Sequence, residues 1–543
     1  MGKITQSSTA EYFAKNLQQV GFSSPLKAVL TTLKESVDNS LDACEEFDIL
    51  PELHIEIEKV GKGSSKSTDL VRILVRDNGP GLSADDLPKV FGEYLASSKF
   101  GRGRCSRGQQ GIGISAATTW AQLTNAAGAN VISKTKTMKK AIQATVDVDI
   151  KHNKGKLKNK KAIAWKYKNG LQVEFVIDGR VQLNGDGGVL TYLEGTTLVN
   201  PHLKLSYKLL DNDIVKIDRV STDIPKVPPA TLPHPHTMKL GEFLTHALLY
   251  PGHTLAQFLK RGFSKVNDAA LKDFKKQGIS AKDLATKMSK FKDSEYKKLF
   301  QAIQETDLGN PTTRSVLVIG EEGLAKSIQR LGEVDFFSVV TRKPKICDFK
   351  PVVVEVAIAR FLDKKGSDDE PSQLLRFANR VPLQFDKGGC AITKAVESVN
   401  WKSYGLSQPK RSLPRGPYVF AISVTSPFIK FKNASKETID SSDELVEELR
   451  FAMMRAGQKL SRHIKQEQRA ADLERKKQHI EKFGPILVKG LVDITKATAT
   501  RKKKAEAGLD KILGRDAKDA EAKLKAADQK LNQLKKKQKA KLK

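Results

Sequence analysis

The sequence predicts a multidomain α+β protein that ends in a basic tail, and three observations lead to that fold class. The 543 residues are enough for about three to four domains. Segments with helical and strand-like apolar patterns occur in separate blocks. Residues 223–236 contain five prolines, and proline lacks an amide donor and breaks helices. We therefore expect an extended linker there, which separates residues 1–222 from the rest.

Composition excludes several classes of protein. Hydrophobic residues make up 39% of the chain, so sizeable cores are expected and general disorder is not. No run of about 18 apolar residues and no N-terminal apolar segment occur, so we expect neither a membrane span nor export. The four cysteines are far apart, which excludes a disulfide scaffold and a cysteine-rich zinc site. The net charge of +32 favours nucleic acid as the partner.

The first candidate site element is a helix predicted over residues 25–47. Its apolar residues recur at spacings of three and four. Glu35 and Asn39 are four residues apart and share another face, with Asp42 close to it. A solvated polar face is the alternative interpretation of these three residues.

Two glycine-containing segments follow. The apolar strand over residues 71–76 runs into Asp77, Gly79 and Gly81, which places a carboxylate beside a tight turn. A plain turn is the alternative. Gly108, Gly111 and Gly113 then precede an alanine-rich helix. Backbone N–H groups at such a helix start can bind anionic oxygens. The spacing is not that of a Walker loop.

The second half of the chain predicts helices, then strands, then one long helix. Residues 238–307 are rich in helix formers. The strand-like apolar runs after them are Val316–Ile319, Phe336–Val340, Val352–Val356 and Tyr418–Val424. One helix is predicted over residues 441–482. The apolar patch at Phe483–Val488, with Leu491 and Ile494, is either a partner contact or packs on the body. Residues 501–543 hold 16 Lys and Arg against 6 Asp and Glu, which indicates a basic tail that is either helix-prone or disordered.

Taken together and in this order, the helix with Glu35 and Asn39, the Asp77 turn and the glycine loop resemble the GHKL ATPase family. Further segments resemble the B subunits of topoisomerase VI, the type IIB enzymes, and the resemblance covers about residues 10–500. These segments are Glu35–Ala43, Ser97–Lys99, Ser106–Ala116, Thr341–Lys345, Phe377–Leu383 and Trp401–Gly405.

The resemblance implies a domain order. Residues 1–222 would form the GHKL (Bergerat) ATPase α/β sandwich, and residues 229–307 a small helical helix-two-turn-helix domain. Residues 310–462 would form the α+β transducer domain, with a long C-terminal helix to about residue 482. Residues 483–500 would contact the topoisomerase VI A subunit. The lysine-rich tail, 501–543, lies outside the resemblance.

The resemblance also implies site residues and cofactors, ATP and Mg²⁺. Glu35 would polarise the attacking water, Asn39 would hold Mg²⁺, and Asp77 would accept a hydrogen bond from the adenine amino group. Gly79 and Gly81 would let the backbone pass close to the base. The triphosphate and its lid would involve Ser98, Lys99, Gly108, Gln109, Gln110, Gly111, Ile112, Gly113, Ile114 and Ser115.

A lysine from the second domain would reach the γ-phosphate. The best match is Lys436, and Lys430 and Lys432 are neighbouring alternatives. Lys436 could instead be an ordinary surface lysine. In one place the chain departs from the family pattern. Leu171 stands where the family often has a threonine near the phosphates. Either the alignment with the family is shifted here, or the contact between threonine and phosphate is missing.

The implied function is that of an ATP-hydrolysing isomerase subunit. ATP-driven self-dimerisation would close a clamp on duplex DNA. A separate A subunit would cleave the DNA in an A2B2 heterotetramer, which relaxes supercoils and decatenates DNA in the cytoplasm at the nucleoid. No tyrosine here stands with an acidic cluster, so cleavage belongs to the A subunit. The competing hypotheses are a GHKL chaperone or mismatch-repair clamp, and a DNA-binding scaffold with a decayed ATP site.

Overall fold

A computed structural model describes most of the chain. The described residues are 7–96, 103–108, 111–362, 369–410, 412–433, 435–494 and 498–501, with isolated positions between 503 and 529. Within these residues no helix combines the length and the apolar character that crossing a membrane would need.

The N-terminal part is built on an eight-stranded, mostly antiparallel sheet with helices packed on it. Its strands lie in the order β5-β4-β3-β6-β2-β1-β7-β8. The helices are α1 (Thr9–Lys15), α2 (Pro25–Glu46), α3 (Leu87–Gly92), α4 (Gly113–Asn125) and α5 (Val189–Val199). The strands are β1 (Glu52–Lys62), β2 (Asp69–Asp77), β3 (Ala129–Lys134), β4 (Ala141–Asp149), β5 (Lys154–Ile163), β6 (Gly170–Gly179), β7 (Lys204–Leu209) and β8 (Val215–Ile217).

Helix α2 confirms the helix predicted over residues 25–47. Ser24 caps it by accepting a hydrogen bond from the Lys27 amide, and Pro25 occupies the first turn, where its missing N–H costs nothing. Leu33 and Leu41 are fully buried in the core of this domain. Burial of this apolar stripe leaves the polar face of α2 free to line a site.

A helical segment follows the proline-rich residues. Residues 223–234 contain no helix and no strand, as predicted, and a short 3-10 helix spans Pro235–Thr237. Thr231 pairs with Gly103 through an isolated backbone bridge. The helices are α6 (Leu240–Ala247), α7 (Leu255–Gly262), α8 (Asp268–Lys276), α9 (Ala281–Ala285) and α10 (Asp293–Glu305). They share a separate aromatic-rich core that includes Phe243, Phe258 and Phe274.

The second sheet has six strands. Five lie in the order β10-β11-β14-β12-β13, and β9 pairs with β11. The elements are α11 (Glu321–Ile328), β9 (Val334–Thr341), β10 (Lys345–Cys347), β11 (Lys350–Phe361), β12 (Gln373–Ala378), β13 (Val381–Leu383), α12 (Ala391–Ser398) and β14 (Tyr418–Thr425).

Three of the four strand-like runs predicted here are strands, but the prediction for residues 316–319 is wrong. Val316 and Leu317 are buried without joining a sheet. The amides of Ile319 and Gly320 donate to the buried Glu355 carboxylate, at 3.1 and 2.8 Å, instead of to a neighbouring strand. The apolar run is therefore buried without being a strand, and the Glu355 side chain accepts the hydrogen bonds that a neighbouring strand would otherwise accept.

Helix α13 (Asp443–Ile494) is longer than predicted. Its first turns pack on the second sheet through residues such as Leu449, Met453 and Leu460. The end predicted near residue 482 is wrong, because the helix continues through Gly484 and Pro485 to Ile494. One proline removes only one backbone donor from a helix of 52 residues, and the helix continues here even though Phe483 and Ile486 beside it are only moderate helix formers. Most of the 501–543 tail lies outside the described residues.

Candidate active site

A cavity of about 660 Å³ opens beside α2 in the N-terminal domain. Its walls come from α2, the turn after β2, the loop before α4, the start of β6 and one loop of the second domain. It brings together ten of the residues that the sequence singled out: Glu35, Asn39, Asp77, Gly81, Gly108, Gly111, Ile112, Gly113, Ile114 and Lys436.

Glu35 and Asn39 both face this cavity from one side of α2. Glu35 lies directly against the first residue of α4, since a Cβ on Gly113 would come within 2.0 Å of the Glu35 Cδ. A larger residue at position 113 would displace the Glu35 carboxylate. In the described part of the chain the Asn39 side chain makes no hydrogen bond, so its amide oxygen can serve a ligand. Asp42, expected near this face, instead turns away and pairs with Arg107 at 2.8 Å.

Asp77 ends β2 as a buried carboxylate with three hydrogen-bond donors. One oxygen accepts from the amides of Gly79 at 2.8 Å and Leu171 at 3.1 Å. The other accepts from the Ser40 hydroxyl at 2.8 Å. Burial raises the pKa of Asp77 to about 6. These three donors hold the carboxylate at the cavity wall, where it can accept a hydrogen bond from a bound group.

The turn after Asp77 depends on close backbone approaches. Gly81 has a φ of 72°, and a Cβ there would lie 2.3 Å from the Lys134 carbonyl oxygen. Gly79 does not line the cavity and instead orients Asp77 through its amide. The position of Gly81 therefore demands glycine for steric reasons, whereas Gly79 acts through its backbone amide.

The N-terminus of α4 points its backbone at the cavity. Among the described residues, no side chain caps this helix end, so the amides of its first turn are available to bind anionic oxygens. Ser115 does not face the cavity, because its hydroxyl donates to the Glu93 carbonyl at 2.9 Å. The predicted lid residues Ser98, Lys99, Gln109 and Gln110 lie outside the described residues.

Of the three candidate lysines, Lys436 lines the cavity. Its Nζ donates to the Arg107 carbonyl oxygen at 3.1 Å. Lys430 instead donates to the Thr237 carbonyl oxygen at 3.2 Å, and Lys432 lies against Gly389. The neighbouring Glu437 pairs with Lys27 of α2 at 2.8 Å, which ties this loop of the second domain to the first.

Sequence reasoning missed part of the wall. Ser40 was not singled out, although it directly follows Asn39. Leu171 was left out of the site, yet it lines the cavity and donates its amide to Asp77. Thr135 and Thr137 follow β3, which pairs with β6 and so brings them beside Leu171. Only the strand order could have revealed these two.

A buried ionic cluster lies behind the cavity, between the two domains. Glu45 accepts hydrogen bonds from Arg107, Arg380 and His202. The two guanidinium groups hold the pKa of Glu45 well below its usual range despite burial. Burial lowers the pKa of His202, so this imidazole is neutral near pH 7.

Asp38 lies two turns before Glu45 on α2. Burial raises its pKa to about 7, and the nearby Glu35 and Asp42 carboxylates add to that rise. The Tyr192 hydroxyl donates to it at 3.4 Å. The charges of Lys34 and of Arg107 oppose this rise in the pKa of Asp38.

The residues at the cavity suit Mg²⁺ better than a softer metal. Asn39 offers an amide oxygen at the cavity, and hard oxygen ligands are what Mg²⁺ takes alongside phosphates. Elsewhere in the described chain, Asp335, His463 and Glu467 come together. There Arg360 already donates to both carboxylates, so that group is a compensated ion-pair cluster.

Comparison with known proteins agrees with this geometry. The family model of histidine kinase-, DNA gyrase B- and HSP90-like ATPases matches residues 28–174. The model of the topoisomerase VI B subunit transducer matches residues 311–476. The chain is 37% identical over 494 residues to the B subunit of type 2 DNA topoisomerase 6 from Archaeoglobus fulgidus, covering 91% of this chain and 80% of that relative.

The chain belongs to the topoisomerase VI B subunit family. Two further family members show the same breadth of similarity. The B subunit of Methanococcoides burtonii is 36% identical, covering 90% of this chain and 76% of that one. The B subunit of Pyrococcus furiosus is 32% identical, covering 90% of this chain and 91% of that one. Membership confirms the multidomain α+β fold with a GHKL ATPase domain and a transducer.

Proposed function

We propose that this chain is the ATP-binding and ATP-hydrolysing subunit of a type IIB DNA topoisomerase, an isomerase that works with a separate, DNA-cleaving A subunit. One observation carries the proposal. In a chain of the topoisomerase VI B family, Glu35, Asn39, Asp77 and the glycine loop, which are far apart in sequence, meet around one cavity.

Glu35 is the general base of the proposed hydrolysis. It takes a proton from water as the water oxygen attacks the γ-phosphorus and the bond to the β–γ bridging oxygen breaks. ADP and phosphate are the products. The close contact of Glu35 with Gly113 supports this role, because it holds the carboxylate beside the helix end that would receive the phosphates.

The other residues bind the nucleotide. Asp77 accepts from the adenine amino group, and the free amides at the start of α4 receive the triphosphate. Lys436 brings a positive charge from the second domain to the same cavity. Ser98, Lys99, Gln109 and Gln110 join the proposal as lid residues through the family resemblance alone. Mg²⁺ held by Asn39 would neutralise charge that develops on the phosphates.

The wider assembly is part of the proposal. ATP binding favours a closed dimer of the chain, which traps a DNA duplex, and two copies join two A subunits in an A2B2 heterotetramer at the nucleoid. Residues 229–307 are proposed as the helix-two-turn-helix domain and 310–462 as the transducer. The exposed apolar patch at the end of α13 is proposed as the contact with the A subunit.

Supercoil relaxation tests this function. The chain is purified with the A subunit from the same source and assayed on negatively supercoiled plasmid with ATP, without ATP, and with Glu35→Ala in place of the native chain. Relaxation that requires ATP and fails with Glu35→Ala is expected. Relaxation of equal rate without ATP would contradict the proposal.

A further inference from the structure

Arg380 occupies a backbone position that disfavours arginine. It is the second residue of the two-residue turn that joins β12 to β13, where Ala378 pairs with Val381. Asn379 and Arg380 have φ values of 49° and 64°. Such a turn strongly favours glycine at its second position, because left-handed backbone strains a residue with a Cβ. Strain of this kind persists where the side chain is needed.

The Arg380 side chain leaves its own domain. It is 2% exposed, and its two terminal nitrogens donate to the two oxygens of Glu45 at 2.8 Å each. Glu45 lies in the last turn of α2, the helix that carries Glu35 and Asn39. This bidentate pair therefore joins the second domain to the helix that forms one wall of the cavity.

The same carboxylate holds the start of the glycine loop. Arg107 donates to the two Glu45 oxygens at 2.7 and 3.0 Å. The Gly108 amide donates to Asp42 at 3.2 Å, and the Arg107 carbonyl accepts from Lys436. Asn200 touches both arginines, accepting from the Arg107 guanidinium and donating to the Arg380 carbonyl.

We propose that Arg380 is a positioning residue for the ATP site. By sharing the Glu45 carboxylate with Arg107, it fixes the start of the glycine loop while the second domain is docked. The ATP affinity of the first domain then depends on that docking. Arg380 touches no substrate and acts through Glu45 and Arg107. The regulation rests on the proposed ATP-binding function, whereas the positioning of the loop does not.

The conformation of the turn suggests a variant that removes the Arg380 side chain without disrupting the fold. Arg380→Gly removes the side chain and relieves the backbone strain, so the hairpin is expected to fold. Arg360→Met is the matched control, because Arg360 is also an arginine of the second sheet held by two carboxylates, but it pairs within its own domain, with Asp335 and Glu467. Arg380→Lys keeps the positive charge but cannot form the bidentate hydrogen bonds to Glu45.

Amide hydrogen exchange without nucleotide tests the positioning. Exchange of residues 103–108 should be about tenfold faster or more in Arg380→Gly, and near the native rate in Arg360→Met. Equal rates in the native chain and Arg380→Gly would overturn the proposal. This measurement needs no ATP, so it decides the positioning even when the native chain proves inactive on ATP and the proposed function fails.

Steady-state ATP hydrolysis tests the consequence. The KM for ATP should rise about tenfold in Arg380→Gly with kcat within about twofold, because a loop that holds phosphates stabilises the ground state and the transition state alike. Arg380→Lys should recover part of that loss. An unchanged KM beside faster exchange would overturn the link to ATP affinity, and so would equal KM changes in Arg360→Met.

Discussion

Glu35 owes its position to a glycine on another helix. The absence of a side chain at Gly113 lets the carboxylate lie against the start of α4, beside the amides that would bind phosphates. A carboxylate on a solvated helix face would have no such constraint. At the scale of single residues, the placement of the proposed base therefore depends on a neighbour that lacks a side chain.

Replacing Glu35 by alanine should remove hydrolysis and leave ATP binding largely intact. Loss of a positioned base is expected to slow hydrolysis by about 10²-fold or more. Asn39→Ala should instead weaken the binding of Mg-ATP, because Asn39 carries the proposed metal ligand. Steady-state hydrolysis and equilibrium nucleotide binding measure the two effects. Hydrolysis by Glu35→Ala within a few-fold of the native rate would exclude Glu35 as the base.

Asp38 makes stability depend on pH. Its pKa is about 7 in the folded chain, against an ordinary value of 3.8 for an aspartate. The folded state therefore holds the proton more tightly, and the stabilisation is complete below about pH 4 and is lost as the pH rises to about 7. Asp38→Asn should raise the free energy of unfolding by about 4 kcal/mol at pH 8. At pH 4 the change should vanish.

Thermal unfolding at both pH values measures this difference. Asparagine can still accept from the Tyr192 hydroxyl, so the local hydrogen bond is kept. A variant that is less stable than the native chain by the same amount at pH 4 and pH 8 would show that packing, and not ionisation, governs this position.

At the scale of elements, α13 changes character along its length. Its first turns are buried on the second sheet, whereas Phe483, Ile486, Leu487 and Ile494 are 44–80% exposed near its far end. This end of the helix packs against no hydrophobic core among the described residues. A cluster of exposed apolar side chains is typical of a protein–protein contact. The element thus connects the second domain to the surface proposed for the A subunit.

The double variant Ile486→Asp, Leu487→Asp should weaken binding to the A subunit tenfold or more, because it would bury two charges in an apolar contact. A tenfold loss of affinity corresponds to about 1.4 kcal/mol of binding free energy. Titration with the labelled A subunit measures the affinity. Leu248→Asp, Leu249→Asp is the control, because these leucines are also exposed but lie in the helical domain. Equal affinities of both variants would exclude this patch as the contact.

At the scale of the whole molecule, the two domains meet behind the proposed ATP site. Glu45, Arg107 and Arg380 connect α2, the glycine loop and the second sheet through one buried carboxylate. A change at the nucleotide can therefore alter the docking of the domains, and a ligand shifts such an equilibrium only through its differential affinity for the two states.

A non-hydrolysable ATP analogue with Mg²⁺ should convert the chain from monomer to dimer. We expect this because the proposed clamp binds nucleotide better in its closed state. Light scattering at micromolar protein measures the mass. Asn39→Ala should remain a monomer under the same conditions. A native chain that stays monomeric at saturating analogue would contradict the clamp.

Deleting residues 501–543 should reduce the salt dependence of duplex DNA binding. The segment holds 16 Lys and Arg against 6 Asp and Glu, and each phosphate contact contributes a slope of about −0.9 in log K against log salt. The slope should change by several units while basal ATP hydrolysis is kept. Fluorescence anisotropy at several salt concentrations decides this, and an unchanged slope would mean that the tail does not contact DNA.

The sequence by itself determined the local elements and the order of the motifs. The apolar period of α2 placed Glu35 and Asn39 on one face. Local sequence patterns likewise predicted the strand that ends at Asp77 and the glycine loop that precedes α4. Patterns of this kind depend on short-range geometry, which a single segment contains. The order of the three elements was enough to indicate the GHKL family.

Only the tertiary structure decided which distant residues meet. Ser40 on Asp77, Leu171 at the cavity wall and Arg380 on Glu45, 335 residues away, result from strand order and domain docking. The apolar run at residues 316–319 predicted a strand because burial and strand pairing share one sequence pattern. A buried glutamate took up its amides instead. Long-range partners are selected by the packing of the whole chain, and no local pattern records them.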